Sequence, residues 1–454
     1  MGPMKTHSFF RAFAAAVLAV GGLAFPSFGA KPPAAAAPVD LRIEFDRPVL
    51  PADSVQRAIV KIGLTGCRPP RPLERAPVNL VIVLDRSGSM SGDKIAQARE
   101  AAVEALRRLD SRDLLSVVIY DHEVATLIPP QAPTDVRWLE RQIQGITSRG
   151  NTALFAGVSQ GAAELRKNLE RAGFAHRVLL LSDGLANVGP SSPDDLGRLG
   201  GALRREGIAV TTVGLGDGFN EDLMTALAQR SDGNHYYVAE SGDLPQVFAK
   251  ELGDVLDVVA QRVEVTIEFP EGVRVLRSIG REAECHGRNV SFGLNQLYGG
   301  QEKYLLVEVE VPAARSDEVR LLARARASYA TTSGGSALEL RAEGHVRYTS
   351  DVAVVKREAN QKVQTEFADN EIAEARSRAI ALADAGRKDE AVAVLASNSA
   401  ALAASADYYS NSTMRQAAEA AKKEAEEVQR EGIDNRKRKE LRAGSYQTTN
   451  QQRK

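Results

Sequence analysis

Between Val78 and about Val259, short apolar runs alternate with stretches of helical spacing, and this rhythm constrains the fold more than any other property of the chain. Asn79–Leu84 (NLVIVL) is a nearly continuous apolar run rich in β-branched residues. Such a run suits a strand buried on both faces of a parallel sheet. Asp85 ends it, and Arg86–Gly92 follows as a polar, glycine-containing loop. Lys94–Leu109 then places Ile95, Ala98, Ala102, Ala105 and Leu106 on one helical face. Further strands are expected at Asp113–Tyr120, with Val124–Ile128 able to pair beside it, and at His176–Ser182, Ala209–Leu215 and Asn234–Val238. Helices are expected at 134–146, 153–171, 192–206, 221–229 and 241–259. The alternation predicts an α/β domain, a doubly wound and mostly parallel sheet covered by helices.

In such sheets ligands bind outside the carboxyl ends of the strands. Asp85, Ser87 and Ser89 occupy that position after the first strand, and Asp183 occupies it after another. Thr152 lies in a polar loop between two helices. If these loops share one rim, the five side chains converge. Hard oxygen donors of this kind suit Mg²⁺, Mn²⁺ or Ca²⁺ and not Zn²⁺ or copper. Taken alone, D-x-S-x-S also suits a glycine turn whose Ser and Asp cap the next helix. Asp217 and Asp93, near the same rim, read as turn and cap residues.

Four stretches carry a family resemblance: D-R-S-G-S-M at 85–90, R-G-N-T-A-L at 149–154, L-L-L-S-D-G-L-A-N at 179–187 and T-V-G-L-G-D-G at 212–218. Together they resemble a von Willebrand factor type A domain over 78–259. The resemblance is greatest to exported bacterial members that share a region with calcium-activated chloride channel regulators. All five positions of that family's metal-ion-dependent adhesion site are present in order. The resemblance implies that Ser87, Ser89 and Thr152 coordinate a metal through their hydroxyls. It implies that Asp85 and Asp183 act mainly through bound waters. A coordination position then remains for a carboxylate from a partner protein. Mg²⁺ fits best, because it keeps waters and prefers octahedral oxygen sites; Mn²⁺ and Ca²⁺ are the alternatives.

The flanks have a different pattern. Leu41–Phe45 and Gln56–Leu64 read as strands, and 68–77 as a proline- and arginine-rich linker. Arg262–Phe269 alternates cleanly, and less regular strands follow to Tyr348 with turns at Pro270–Gly272, Gly299–Gly300 and Ser333–Gly335. This spacing suggests a β-sandwich of about seven strands over 260–350. Strands from 41–77 would complete it, so that the α/β domain is inserted between its parts. The chain's two cysteines, Cys67 and Cys285, would then fall within one sandwich. An oxidising compartment permits a disulfide between them, and pairing is favoured over two free thiols. The alternative is two separate small units with the cysteines unpaired. Residues 362–430 are alanine- and glutamate-rich and read as a helical hairpin broken at Gly386–Lys388, with a charged helix at Arg415–Gln429 whose face is mostly solvated. The hairpin resembles a single tetratricopeptide-like unit, which cannot bury its face alone. Residues 431–454, with Arg436–Lys439 (RKRK), read as a basic, solvated, disordered tail.

Residues 1–29 resemble a signal peptide: Lys5 and Arg11 precede a short apolar run, with a cut after Gly29 or Ala30. Residues 30–40 form a Pro/Ala linker. No later stretch is long and apolar enough to span a bilayer. Lys plus Arg is 58 and Asp plus Glu is 59, a balance that argues against a protein that coats nucleic acid. No H-E-x-x-H and no G-x-x-x-x-G-K-[ST] occurs, and the six histidines lack metal-ligand spacing. A lone metal site with no acid, base or nucleophile beside it has little means of catalysis. The expectation is therefore an exported, periplasmic or secreted, non-enzymatic binding protein. It would capture an acidic residue of a protein partner through a divalent cation. The alternative is an envelope-assembly or channel-regulatory scaffold acting through its C-terminal helices.

Overall fold

The computed structural model describes residues 38–67, 75–171, 173–331 and 337–452; the expected signal peptide lies outside them. In chain order the elements are β1 (Val39–Phe45), β2 (Val49–Pro51), β3 (Gln56–Gly66), β4 (Val78–Asp85), α1 (Asp93–Arg107), β5 (Leu114–Tyr120) and β6 (Val124–Gln131). Then come α2 (Val136–Gln144), α3 (Leu154–Arg166), β7 (Ala175–Ser182), α4 (Pro193–Arg205), β8 (Ile208–Leu215), α5 (Glu221–Ser231), β9 (His235–Val238) and α6 (Leu244–Val255). The second half holds β10 (Val258–Glu268), β11 (Arg274–Ile279), β12 (Glu284–His286), β13 (Asn289–Tyr298), β14 (Glu302–Val311), β15 (Val319–Thr331) and β16 (Leu338–Thr349). Helices α7 (Val352–Arg357), α8 (Gln361–Asp384), α9 (Lys388–Tyr409), α10 (Ser412–Glu431) and α11 (Asn435–Thr449) follow. Among the described residues, no helix is long and apolar enough to cross a membrane.

The central sheet runs β6-β5-β4-β7-β8-β9. It is parallel except for β6, which pairs antiparallel to β5 and carries Pro129 and Pro130 at the sheet's edge. Every residue of β4, β5, β7 and β8 is buried, which is why their sequences are mostly apolar; the polar residues among them, such as Asn79, Ser116, Arg177 and Thr211, are buried as well. One face is covered by α1, α2 and α6 through Ile95, Leu106, Leu139, Ile143, Phe248 and Leu252. The other is covered by α3, α4 and α5 through Leu154, Leu165, Leu196, Leu203 and Leu227. Helix α3 lies close on its strands at Gly161, where a Cβ would stand 2.6 Å from Val83 Cγ2. Strand β4 has β5 on one side and β7 on the other, so the chain reverses its direction of travel across the sheet there. The crevice beyond the ends of β4 and β7 is the switch point at which such sheets bind ligands.

A sandwich of two antiparallel-dominated sheets, β1-β3-β14-β11 and β12-β13-β10-β15-β16-β2, surrounds a second core. Strand β3 pairs with β14 from Thr65↔Glu302 to Gln56↔Val311, so the chain leaves this sandwich after β3 and re-enters it at β10. Among the described residues the sandwich has ten strands: seven, β10–β16, from the second half and three, β1–β3, from the N-terminal segment. Two of them, β2 and β12, are three-residue edge strands too short to show a period.

Two expectations require correction. Cys67 and Cys285 are free thiols and not a disulfide. Cys67 follows β3 in one sheet, while Cys285 lies exposed on β12, the outermost strand of the other, opposite Val290. The 431–454 tail is not solvated coil through its described length: α11 buries Leu441, Ala443 and Tyr446 and leaves the Lys439 residue 1% exposed. Its charges are matched across the chain, Lys439 to Glu221 at 3.0 Å and Arg442 to Asp222 at 2.6 Å. The hairpin, α8 and α9, and the charged helix α10 form one three-helix unit, with the second break at Ser410, left-handed at φ 54°, before the Asn411 cap of α10. This unit packs on the sandwich through α8, where buried Lys61 meets Glu302 at 2.7 Å and Glu366 at 2.8 Å.

Candidate metal site at the switch point

Three loops meet at the ends of β4 and β7 because their backbones are joined pairwise. Gly88 N donates to Gly150 O at 2.9 Å, and Arg149 N donates to Arg86 O at 2.6 Å. These bonds bring the 148–152 loop onto the 85–92 loop. Gly150 sits at φ +70°, and a Cβ there would stand 2.1 Å from His122 Nδ1, so only glycine fits. Asn187 closes the third side: its Oδ1 accepts from Thr152 N at 2.9 Å and its N donates to Thr152 O at 3.2 Å.

The five side chains singled out in the sequence are brought together. Asp85, Ser87, Thr152 and Asp183 are buried, while Ser89 is exposed. Ser87 Oγ is 3.1 Å from Ser89 Oγ, and Ser89 Oγ donates to Asp183 Oδ1 at 2.7 Å. Gly184 marks where they converge. A Cβ on it would stand 3.2 Å from Ser89 Oγ, 3.3 Å from Thr152 Oγ1 and 3.9 Å from Ser87 Oγ. Asp85 lies beneath, accepting from Ser87 N at 2.8 Å and from Ser182 Oγ at 2.7 Å. Burial pushes its carboxyl up to about 6 despite the Ser182 and Ser87 hydrogen bonds, and nearby Asp183 adds to the rise. The donor set is therefore two carboxylates and three neutral hydroxyls, all oxygen, open to solvent at Ser89. It matches a hard divalent cation in charge and chemistry.

Lys94, Ser182, Gly184 and Asn187 also take part in the site, and nothing in the sequence alone singles them out. Lys94 Nζ lies 2.5 Å from Asp183 Oδ2, a positive charge already drawn to the carboxylates. All four lie within or beside the stretches that carried the resemblance, but only their contacts reveal what they do. Asp93 opens α1 without a side-chain capping bond, so it is not the cap expected of it. Asp217 Oδ1 accepts from Tyr237 OH at 2.6 Å. A second cluster, Asp121–His122–Glu123, brings three ligand-type atoms within 4.8 Å. Its charge is answered by Arg86 and Arg149, each 2.9 Å from Asp121 Oδ2, and by a 2.6 Å pair from Arg149 to Glu123.

A family model described as the von Willebrand factor type A domain matches residues 79–250. The Escherichia coli (strain K12) protein YfbK is 27% identical over 262 residues, covering 56% of this chain and 45% of its own length. The chain spans less than half the length of the curated relatives it matches. Among solved structures, a von Willebrand factor type A protein from Catenulispora acidiphila superposes with a TM-score of 0.64 at 17% identity, covering 83% of this chain and 89% of that one. The ArnB paralog VWA2 from Sulfolobus acidocaldarius gives 0.60 at 16% identity, covering 91% of this chain and 99% of that one. At these identities the likeness is one of fold. Coverage of 91% also means that it extends beyond the central domain into the flanking parts.

Proposed function

Since residues 79–250 are a von Willebrand factor type A domain, we propose that this protein binds a partner protein through a divalent cation held at the β4–β7 switch point. Domains of this family serve mainly as interaction modules and often hold such a cation. The observation that carries the reading is the convergence of Ser87, Ser89 and Thr152 beside Gly184, with Asp85 and Asp183 completing the oxygen set. Ser87, Ser89 and Thr152 would hold the ion through their hydroxyls, and the two carboxylates would balance its charge. Mg²⁺ is the proposed ion, with Mn²⁺ or Ca²⁺ able to replace it. Neutral hydroxyls leave the bound cation electron-poor, and it therefore attracts a carboxylate from the partner. The opening at exposed Ser89 supplies the direction of approach. The Lys94 ammonium against Asp183 supports the same reading, since the pocket draws positive charge. Export to the periplasm or the cell exterior is part of the proposal and rests on residues 1–29.

The test is capture of a partner from envelope extract with and without chelator, by the wild-type chain and by Asp85→Ala. One band should be lost in both the chelated and the mutant arms. A partner retained equally in all arms removes the metal from the mechanism.

A further inference from the structure

The loop at 216–218, between β8 and α5, supports the proposed metal site from behind. Gly218 packs so tightly on the β7 loop that a Cβ there would stand 2.7 Å from Asp183 O. A Cβ on Gly216, at φ +66°, would stand 3.9 Å from Lys94 Nζ. Lys94 in turn contacts Asp183 Oδ2 at 2.5 Å. The loop therefore packs on the backbone of one of the five site residues and runs past the ammonium that pairs with its side chain.

Helix α11 holds this loop. Asn435 Nδ2 donates to Asp217 O at 2.7 Å, and Asn435 Oδ1 accepts from Lys439 Nζ at 2.8 Å. Lys439 is buried, pairs with Glu221 Oε2 at 3.0 Å and lies 5.1 Å from the centre of the Phe219 ring. Arg438 reaches Glu221, Asp222 and Asp384, and Arg442 reaches Asp222 at 2.6 Å. Residues 435, 438, 439 and 442 share one helical face by their spacing. The basic run is thus a docking stripe for the acidic start of α5. The far end of α11 is fixed as well, by Tyr446 OH donating to Gly233 O at 2.7 Å and by Gln452 Oε1 accepting from His235 N at 3.0 Å. A buried charge pair resists displacement, because separating it leaves an uncompensated ion.

We propose that Asn435 is a positioning residue for the metal site, holding the 216–218 loop against Asp183, so that Mg²⁺ affinity depends on the docking of helix α11. This rests on the metal-binding reading above. Linkage then requires the reverse effect: Mg²⁺ bound at the rim must strengthen the docking of α11 by the same factor.

The test uses the full chain and Mg²⁺ alone, measured by calorimetry. Asn435→Ala removes both hydrogen bonds. Asn435→Asp keeps the acceptor for Lys439 and loses only the donor to Asp217. Both are expected to bind Mg²⁺ on the order of 5–10-fold more weakly, a typical coupling between linked sites. The melting temperature of Asn435→Asp in chelator should be unchanged. Arg430→Ala, on the exposed side of α10, is expected to bind as the wild type does. In the wild type, Mg²⁺ should slow amide hydrogen exchange across 435–449, an effect that a merely structural helix would not show. Wild-type affinity in Asn435→Asp, or exchange in α11 indifferent to Mg²⁺, overturns the inference and leaves the metal site standing. No uptake of Mg²⁺ by the wild type overturns both.

Discussion

Replacing Asp85 by asparagine should make the metal-free protein more stable while abolishing its response to Mg²⁺. The carboxyl is buried, and its pKa rises from 3.8 to about 6. At 1.36 kcal/mol per unit, that rise of about two units makes the ionised side chain cost the fold about 3 kcal/mol. The sign follows from proton binding. Between about pH 4 and 6 the unfolded chain releases this proton while the folded chain keeps it, so wild-type stability falls as pH rises through that window. Below it the cost is absent, and above it the cost is complete. The Asp85→Asn side chain would escape the cost and keep the hydrogen bonds. The new carbonyl can accept from Ser87 N as the carboxylate does at 2.8 Å, and the new amide can face the Ser182 hydroxyl, now 2.7 Å away and able to accept. Domains of this size gain roughly 2–4 °C per kcal/mol, so the variant should melt about 6–12 °C above the wild type at pH 8 in chelator. The difference should vanish near pH 4. With Mg²⁺ added, only the wild type should gain. A variant that melts below the wild type at pH 8, or a difference that ignores pH, would refute the assignment of Asp85 as a destabilising carboxylate retained for a cation.

Other outcomes follow from the same contacts. Gly184→Ala places a methyl 3.2–3.3 Å from the Ser89 and Thr152 hydroxyls. Overpacking of about 1–3 kcal/mol should appear as roughly 5- to 150-fold weaker Mg²⁺ binding in calorimetry, with the fold intact by circular dichroism; unchanged affinity would show that the hydroxyls do not hold the ion. Lys439→Met removes the buried ammonium 3.0 Å from Glu221 and leaves that carboxylate to Arg438 alone. Chemical denaturation should show a loss of about 1.5–3 kcal/mol, whereas a loss under about 1 kcal/mol would mean that α11 is only loosely docked.

Much of the central domain was legible because β4, β7 and β8 are buried on both faces and so keep long apolar stretches, Leu80–Leu84 and Val178–Leu181 among them. Asp85, Ser87 and Ser89 could be grouped because they share one loop. Thr152 and Asp183 could not be placed beside them by periodicity, since the strand order and the Gly88–Gly150 and Thr152–Asn187 bonds make that geometry. Their meeting could be stated only on the condition that the loops share one rim, and the resemblance supplied that condition. The RKRK run misled for a related reason. A charge run reads as solvated unless its counterions are visible, and Glu221 and Asp222 lie more than 200 residues away in sequence. The start of α10 was read three residues late because the break is made by Ser410, which adopts the left-handed conformation without being glycine. The cysteines misled because compartment and count say nothing about which sheet each residue joins.

The central claim is that one cation sits where the β4, 148–152 and β7 loops meet. An anomalous-difference map from crystals grown with Mn²⁺ tests it most directly. The predicted result is a single peak enclosed by the Ser87, Ser89 and Thr152 hydroxyls, with Lys94 withdrawn from Asp183. A peak at Asp121–His122–Glu123 instead, or none at the switch point with Mn²⁺ in excess, would contradict it.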